Sequence, residues 1–444
     1  MKYKFLSIAN DIWYFYARPL AAILLYLSAK TLLLLNFKRA SISFSLATSR
    51  YKNISGNNIL LKSLLGNSFS DLDASKGVQL KEASGRSIIL RWPEIDQNNI
   101  FSKGVLLITF TKTFSYFIRN IDIQQLHKYF YIVLEPSWSG YADPDILGFF
   151  NKNEKVIIQS SEIQDRILLN HFLEYCIPVS FGASDWVNPD IFIKNELPKI
   201  YDSVYIANTN PIKRVYRYLK AIKNIVERKD PNYKACLVCA SWGGAEELLK
   251  ELVESFKLEK NLKLLFSQSR SQVINILNQS KVNILLSLKE GSNRSLFEAL
   301  FCGTPVILAS ENIGVNKAYI NEHTGLLLDN SALEDGLCWM KENYTLYDTR
   351  SWAMENISPN ISTQKLCAVI NNNFNTSIDS LFVKTNSPEV CYLNFDNIDH
   401  APYSMKVLEL FITNNSNSHS DTNKELLLQK ELFFQSIEKK KAYQ

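Results

Sequence analysis

The sequence predicts an α/β protein of two domains with largely parallel sheets. Three observations carry the prediction. The chain has 444 residues, more than one ordinary core can serve and enough for two domains of roughly 200 residues each. Beyond residue 85, short apolar runs alternate with amphipathic stretches, the pattern of strand–helix–strand crossovers. The alternation pauses at NELPKIYD (195–202), which reads as a linker, and then starts again.

Each element follows from local pattern. In the first series SIILRW, GVLLITF, YFYIVLE, KVIIQSS and CIPVSFG read as buried strands. In the second, the strands are SVYIAN, KACLVCA, LKLLFSQ, VNILLSL and PVILAS. The stretches PIKRVYRYLKAIKNIVERK, GAEELLKELVESFKL, SQVINILNQS and NRSLFEALFC between them read as helices. Each crossover has the length that a doubly wound sheet requires. The boundaries that result are 1–200, 201–375 and a C-terminal extension, 376–444. Within the extension TNNSNSHSDTN (413–423) reads as a polar linker. KELLLQKELFFQSIEKKKAY reads as a basic amphipathic helix that docks on the body or touches an anionic surface.

Composition removes several function classes. Hydrophobic residues make up 46% and charged residues 21%, as in a folded soluble protein. The formal charge of +5 is too small to imply nucleic acid, and no zinc-finger, RNP or basic-zipper pattern occurs. Seven cysteines, an odd number, suit free buried thiols in a reducing compartment. Cys236 and Cys239 form a CxxC on a strand, where side chains three apart point to opposite faces and do not chelate together. The tripeptides DLD (71–73) and DPD (143–145) lack a strand-then-loop context and read as turn or cap acids.

The N-terminal stretch Ile12–Phe37, IWYFYARPLAAILLYLSAKTLLLLNF, is apolar but interrupted by Arg18 and Lys30. Its uninterrupted part, Pro19–Ala29, falls short of the roughly 20 residues that cross a bilayer. No small-residue cleavage site follows. Two readings stay open: an interfacial helix with Trp13, Tyr14 and Tyr16 at headgroup depth, or buried helices of the first domain.

The segment KEGSNRSLFEALFCGTP (289–305) carries the chemistry. It begins at the carboxyl end of a predicted strand, where α/β sheets bind ligands. Ser292 or Asn293 caps the helix that follows and Gly303 ends it. A helix N-terminus suits phosphate. Carboxylates beside such a site suit hydroxyls, because a carboxylate accepts two hydrogen bonds from a diol. Glu290 and Glu298, with seven residues between them, therefore fit a nucleotide sugar, with a sugar beside Glu290 and a ribose beside Glu298.

Here the sequence resembles the retaining GT-B glycosyltransferases, family 4 type (glycosyl transferases group 1). The E-x7-E in EGSNRSLFE is similar to that family's signature. So are SKVNILLSLKEGSNRSLFEALFCGTPVI and the later EHTGLLLD. The likeness implies two Rossmann-like doubly wound domains facing a central cleft. It implies that Glu290 contacts the donor sugar and Glu298 the ribose. Backbone N–H groups of Gly291, Ser292 and Asn293 would hold the diphosphate, with Arg294 as an extra contact. In ANTNPIKRVYR (207–217), Lys213 matches the lysine that neutralises the leaving group. The usual Gly-Arg pair is replaced by Ala207-Asn208, and Arg214 is a candidate for the lost arginine.

The acceptor side is thinner. CIPVSFGASDWVNPDIF (176–192) resembles a family segment near the end of the first domain, with Gly182 in a tight turn and Asp185 capping it. Glu135, Trp138 and Tyr141 in IVLEPSWSGYADPD suit a sugar platform, although a cap or salt-bridge role for Glu135 fits as well. The family's early Gly-Gly loop is absent. The resemblance implies transfer from a UDP- or GDP-sugar to a glycan or lipid-linked acceptor, without metal or cofactor. A Lys-, Asn- and Ile-rich composition is compatible with an AT-rich bacterium. Capsule, lipopolysaccharide or exopolysaccharide synthesis is then the setting, in the cytoplasm and peripheral on the inner face of the plasma membrane. The alternatives are a nucleotide-sugar epimerase of the same fold and a degenerate, non-catalytic scaffold.

Overall fold

The computed structural model describes residues 2–64, 78–95, 100–137, 140, 143–151, 153–240, 246–386, 391–393, 399–413 and 419–442. DLD (71–73), Trp138, Tyr141 and part of the polar linker at 413–423 lie outside the described residues. The chain divides into two compact units. One comprises residues 187–358 together with 1–20, the other residues 21–186 together with 359–444. Each has its own hydrophobic core.

This division differs from the sequence boundaries. The first domain ends at Trp186, because Trp186 is buried in one core and Val187 in the other. The C-terminal stretch forms no separate extension. From Pro359 onward the chain joins the 21–186 unit, and Leu426 and Phe433 of the last helix lie in that unit's core. Phe433 meets the rings of Trp92 and Tyr403 at 5.8 and 5.4 Å. The basic amphipathic helix thus docks on the body.

The N-terminus is helical throughout. Helix α1 (Lys2–Ile12) runs through a π-turn (Trp13–Ala17) into α2 (Arg18–Leu34). The π-turn precedes Pro19, which has no N–H for the carbonyl four residues back, so the ladder widens there. The structure makes Lys4–Leu34 one 31-residue helix, and an 18-residue window within it has mean hydropathy 1.4. It is long and apolar enough to cross a membrane by length and composition, whereas the interrupted sequence suggested too short a run. The two interrupting cations lie over aromatic rings, Arg18 over Tyr14 and Lys30 over Tyr26, and both residue types are good helix formers.

In the 21–186 unit five strands pair in chain order: β1 (Ser87–Arg91), β2 (Gly104–Thr109), β3 (Phe130–Glu135), β4 (Val156–Gln159) and β5 (Cys176–Val179). Strands β2 to β5 are parallel, and β1 is an antiparallel edge. Their near-continuous burial matches a sheet covered on both faces.

The 187–358 unit holds six strands: β6 (Ser203–Asn208), β7 (Ala235–Ala240), β8 (Leu262–Phe266), β9 (Asn283–Leu285), β10 (Val306–Ala309) and β11 (Gly325–Leu328). All are parallel, in the order β8-β7-β6-β9-β10-β11. This is the doubly wound order, and its direction reverses between β6 and β9. Ligands bind outside the carboxyl ends of the strands at such a reversal. Cys236 and Cys239 sit fully buried on β7, where burial pushes both thiols up to about 12.

Candidate nucleotide-sugar site

Two loops leave the reversal point. The first follows β6. Asn210 caps a 3₁₀ turn (Pro211–Lys213) by accepting the N–H of Ile212. The Tyr205 hydroxyl, from β6, donates to the Lys213 carbonyl. Arg214 then takes a left-handed conformation (φ +56°) that starts helix α3 (Val215–Arg228). A non-glycine residue held there costs free energy and persists only where its surroundings fix it.

The second loop follows β9 and leads into helix α4 (Arg294–Phe301). Asn293 is the cap. Its side-chain oxygen accepts the Leu296 N–H at 3.1 Å and the Ser295 hydroxyl at 2.8 Å. The helix ends as the glycine foretold. Gly303 has φ +76°, its N–H donates to Leu300 O, and Thr304 N–H donates to Ala299 O. These are the two bonds of a Schellman motif.

The loops meet in an ion pair. Lys213 Nζ donates to Glu290 Oε1 at 2.6 Å, with side chains 15% and 6% exposed. Their backbones are joined as well, since Leu288 N–H donates to Ile212 O at 3.0 Å. A third loop, after β10, fixes Glu290. Its N–H donates to Ile313 O, and Ile313 N–H donates to Leu288 O. Gly314 (φ +120°) passes so close that a Cβ there would stand 2.1 Å from the Glu290 carbonyl. Buried Asn312 secures this loop by donating to Ser287 O.

Glu298 lies one turn into α4, four residues after Arg294. Desolvation raises its pKa, while Arg294 and Arg270 pull the other way. Arg294 is exposed on the first turn of the helix. The structure thus gathers Lys213, Glu290, Gly291, Ser292, Asn293, Arg294 and Glu298 around one strand end and one helix N-terminus. It adds Arg270, Asn312 and Gly314, which the sequence reading did not select. A glycine just after a strand was the available signal for Gly314; Arg270 offered none.

Arg214 stands apart from that set. Its side chain is 0% exposed and ion-paired with Glu311 at 2.9 Å and Asp11 at 3.2 Å. Two carboxylates occupy the guanidinium expected to replace the missing arginine.

In the other unit, Glu135 ends β3 but does not face an open platform. It is buried against Lys384, itself 0% exposed and lying 5.2 Å from the Trp186 ring centre. The salt-bridge role is the one present. Asp185 accepts the Gly182 N–H at 2.8 Å, a turn cap. Asp143 caps a short helix (Pro144–Leu147). Among the described residues, no three His, Cys, Asp or Glu side chains cluster as metal ligands would.

Residues 188–351 match the family model of glycosyl transferases group 1. No curated protein matches the chain. Several solved structures are similar. One is a TarM variant from S. aureus in complex with fondaparinux, alpha-GlcNAc-glycerol and UDP. It is 20% identical, with a TM-score of 0.45 over 56% of this chain and 52% of that one. Another is sucrose-phosphate synthase from Thermosynechococcus elongatus, 15% identical, with a TM-score of 0.47 over 61% of this chain and 74% of that one. A third is HepE from Anabaena with UDP and glucose, 14% identical, with a TM-score of 0.42 over 58% and 81%. The chain spans about half the length of the staphylococcal structure.

Proposed function

Taking residues 188–351 as a glycosyl transferases group 1 domain, we propose that the protein moves a sugar from a UDP- or GDP-sugar to a glycan or lipid-linked acceptor in bacterial surface polysaccharide synthesis. The proposed transfer retains configuration and uses no metal. The observation that carries this reading is the Lys213–Glu290 pair at the reversal point of the doubly wound sheet, beside the N-terminus of α4.

The chemistry follows from the charges. A diphosphate entering at the helix N-terminus meets N–H dipoles and draws the Lys213 ammonium from Glu290. Glu290 is then free to accept hydroxyls of the donor sugar, while Glu298 accepts those of the ribose. The bond from the sugar's anomeric carbon to phosphate breaks, and the acceptor hydroxyl attacks that carbon on the same face. Its proton passes to an oxygen of the departing diphosphate. Lys213 and the helix N-terminus meet the charge that develops on the leaving group. The protein's own part is positioning and charge stabilisation.

A thermal-shift panel with UDP, GDP, ADP and CMP, on wild type and Glu298→Ala, tests the assignment. One nucleotide should raise the melting temperature through mass action, and the shift should vanish in the variant. No shift with any nucleotide favours the non-catalytic scaffold. Binding followed by interconversion of the free donor, without transfer, favours an epimerase.

The same proposal places the protein on an anionic membrane surface. Phe5, Trp13, Tyr16, Leu20, Leu24, Leu27 and Leu34 are exposed, in a stretch flanked by Lys2, Lys4, Lys38 and Arg39. Such a helix binds an interface through apolar burial and attraction to anionic lipid. Cosedimentation with anionic but not zwitterionic vesicles is the expected result.

A further inference from the structure

The N-terminal helix reaches the donor site through three residues of one face. Asp11 lies 206 positions from Arg217 in the chain, yet its Oδ2 accepts Arg217 Nε at 2.8 Å, and its Oδ1 lies 3.2 Å from Arg214 Nε. Phe15 lies under the Arg214 guanidinium, 5.8 Å from ring centre to Cζ. The Tyr14 hydroxyl donates to the Leu288 carbonyl at 3.1 Å. Residues 11, 14 and 15 share a face because helix neighbours recur at three and four positions. The π-turn begins between them, at Trp13.

These contacts converge on the atoms that hold Lys213 and Glu290. Arg214 directly follows Lys213, and its left-handed backbone sets the exit of that loop. Leu288 stands two residues before Glu290. Its N–H binds the Lys213 loop at Ile212 O, and its carbonyl accepts both Tyr14 Oη and Ile313 N–H. One helix thus grips both loops of the ion pair. Asp11 and Glu311 together neutralise a fully buried guanidinium, which would otherwise carry an uncompensated charge.

We propose that Asp11 and Tyr14 are positioning residues for the donor site, holding the Lys213 loop and the Glu290 strand end in the geometry that transfer requires. The inference rests on the site reading above. Misplacement of reacting groups by about 1 Å costs on the order of 100-fold in rate. Loosening the grip therefore lowers kcat more than it lowers thermal stability.

Hydrogen exchange and steady-state kinetics on full-length wild type, Asp11→Asn, Asp11→Glu, Tyr14→Phe and Glu290→Gln test it. In Asp11→Asn and Tyr14→Phe, amides at 212–217 and 286–291 should exchange faster, while those of β7 and β10 stay as in wild type. Turnover should fall about tenfold or more, at unchanged acceptor KM, and Asp11→Glu should restore part of it. Unchanged exchange overturns the grip, whatever the activity. Faster exchange with wild-type kcat overturns the positioning role and leaves a structural staple. If wild type binds no nucleotide and Glu290→Gln changes nothing, the site reading itself fails and the inference falls with it.

Discussion

Both units place a glutamate at the carboxyl end of a parallel strand and pair it with a lysine brought from elsewhere in the chain. Glu290 follows β9 and meets Lys213. Glu135 ends β3 and meets Lys384. The surroundings separate them. Lys213 retains 15% exposure, and the loop that carries its partner leads into a helix N-terminus. Lys384 is wholly buried beside Trp186. The sheets differ in the same sense: the 187–358 unit reverses its winding where its pair sits, whereas the strands of the 21–186 unit pair in chain order. The same two residue types thus make a partly exposed pair in one place and a sealed one in the other. Access and strand order decide which is which, not the residue types.

The largest effect should come from opening the sealed pair. Lys384→Ala leaves a buried carboxylate without its cation, which costs about 3–5 kcal/mol. Urea unfolding should show that loss in the transition of the 21–186 unit. The double variant Lys384→Met with Glu135→Leu should recover most of it, since a well-filled apolar pair replaces a buried ion pair at little cost. If the double variant is as unstable as the sum of the singles, the pair is not the sealed unit described. At the other pair, Lys213→Ala should act mainly on rate. Removing a group that stabilises developing charge lowers kcat on the order of 100- to 1000-fold. Equal kcat in wild type and variant would make the two pairs alike, both structural.

Acid sharpens the contrast between units. Burial pushes His127 and His400, both in the 21–186 unit, down to about 4 from 6.5. Lys103 adds to the effect at His127 and Lys384 at His400, while Glu154 and Asp399 oppose it. Between those values the unfolded chain takes up protons that the folded chain refuses, so stability is full above about pH 6.5 and falls toward pH 4. At pH 5 each histidine should cost the unit about 2 kcal/mol. His323 of the 187–358 unit is exposed. Calorimetry from pH 7 to pH 5 should move the transition of the 21–186 unit downward and leave the other nearly fixed. His127→Gln should remove part of that slope.

Much of the 187–358 unit was legible in the sequence. Its strands announced themselves as apolar runs, and Asn293 and Gly303 marked the helix between Glu290 and the next strand. Those signals are local: a cap, a turn, an apolar period. Pairings across long chain separations left no such mark. Nothing in ANDIWYFY says that Asp11 meets arginines more than 200 positions away, and nothing near Lys384 points to Glu135. The domain boundary was misplaced for the same reason. NELPKIYD looks like a linker by composition, but the change of core between Trp186 and Val187 depends on which side chains meet in space. Arg214 shows the limit most clearly. Its place beside Lys213 suggested a phosphate contact, and only the fold reveals the two carboxylates already holding it.

Glu298 offers the smallest effect and the most specific one. Desolvation raises its carboxyl above the ordinary value, although Arg294 and Arg270 pull it down. A carboxyl raised by folding contributes stability that is fully present below the unfolded-state value. That contribution is lost as pH rises through the folded value. At neutral pH wild type therefore bears the cost of a charge in a poorly solvated place, and Glu298→Gln does not. The variant should melt slightly higher than wild type near pH 7, and the difference should shrink toward pH 4. A site built to receive ribose hydroxyls needs the charged form, because a carboxylate accepts stronger hydrogen bonds than an amide. The same substitution should weaken nucleotide binding about tenfold, the equivalent of 1.4 kcal/mol. A variant that gains stability while losing nucleotide affinity would mark Glu298 as kept charged for its ligand and at the expense of the fold. If calorimetric titration shows the gain without the loss, the ribose does not lie against Glu298.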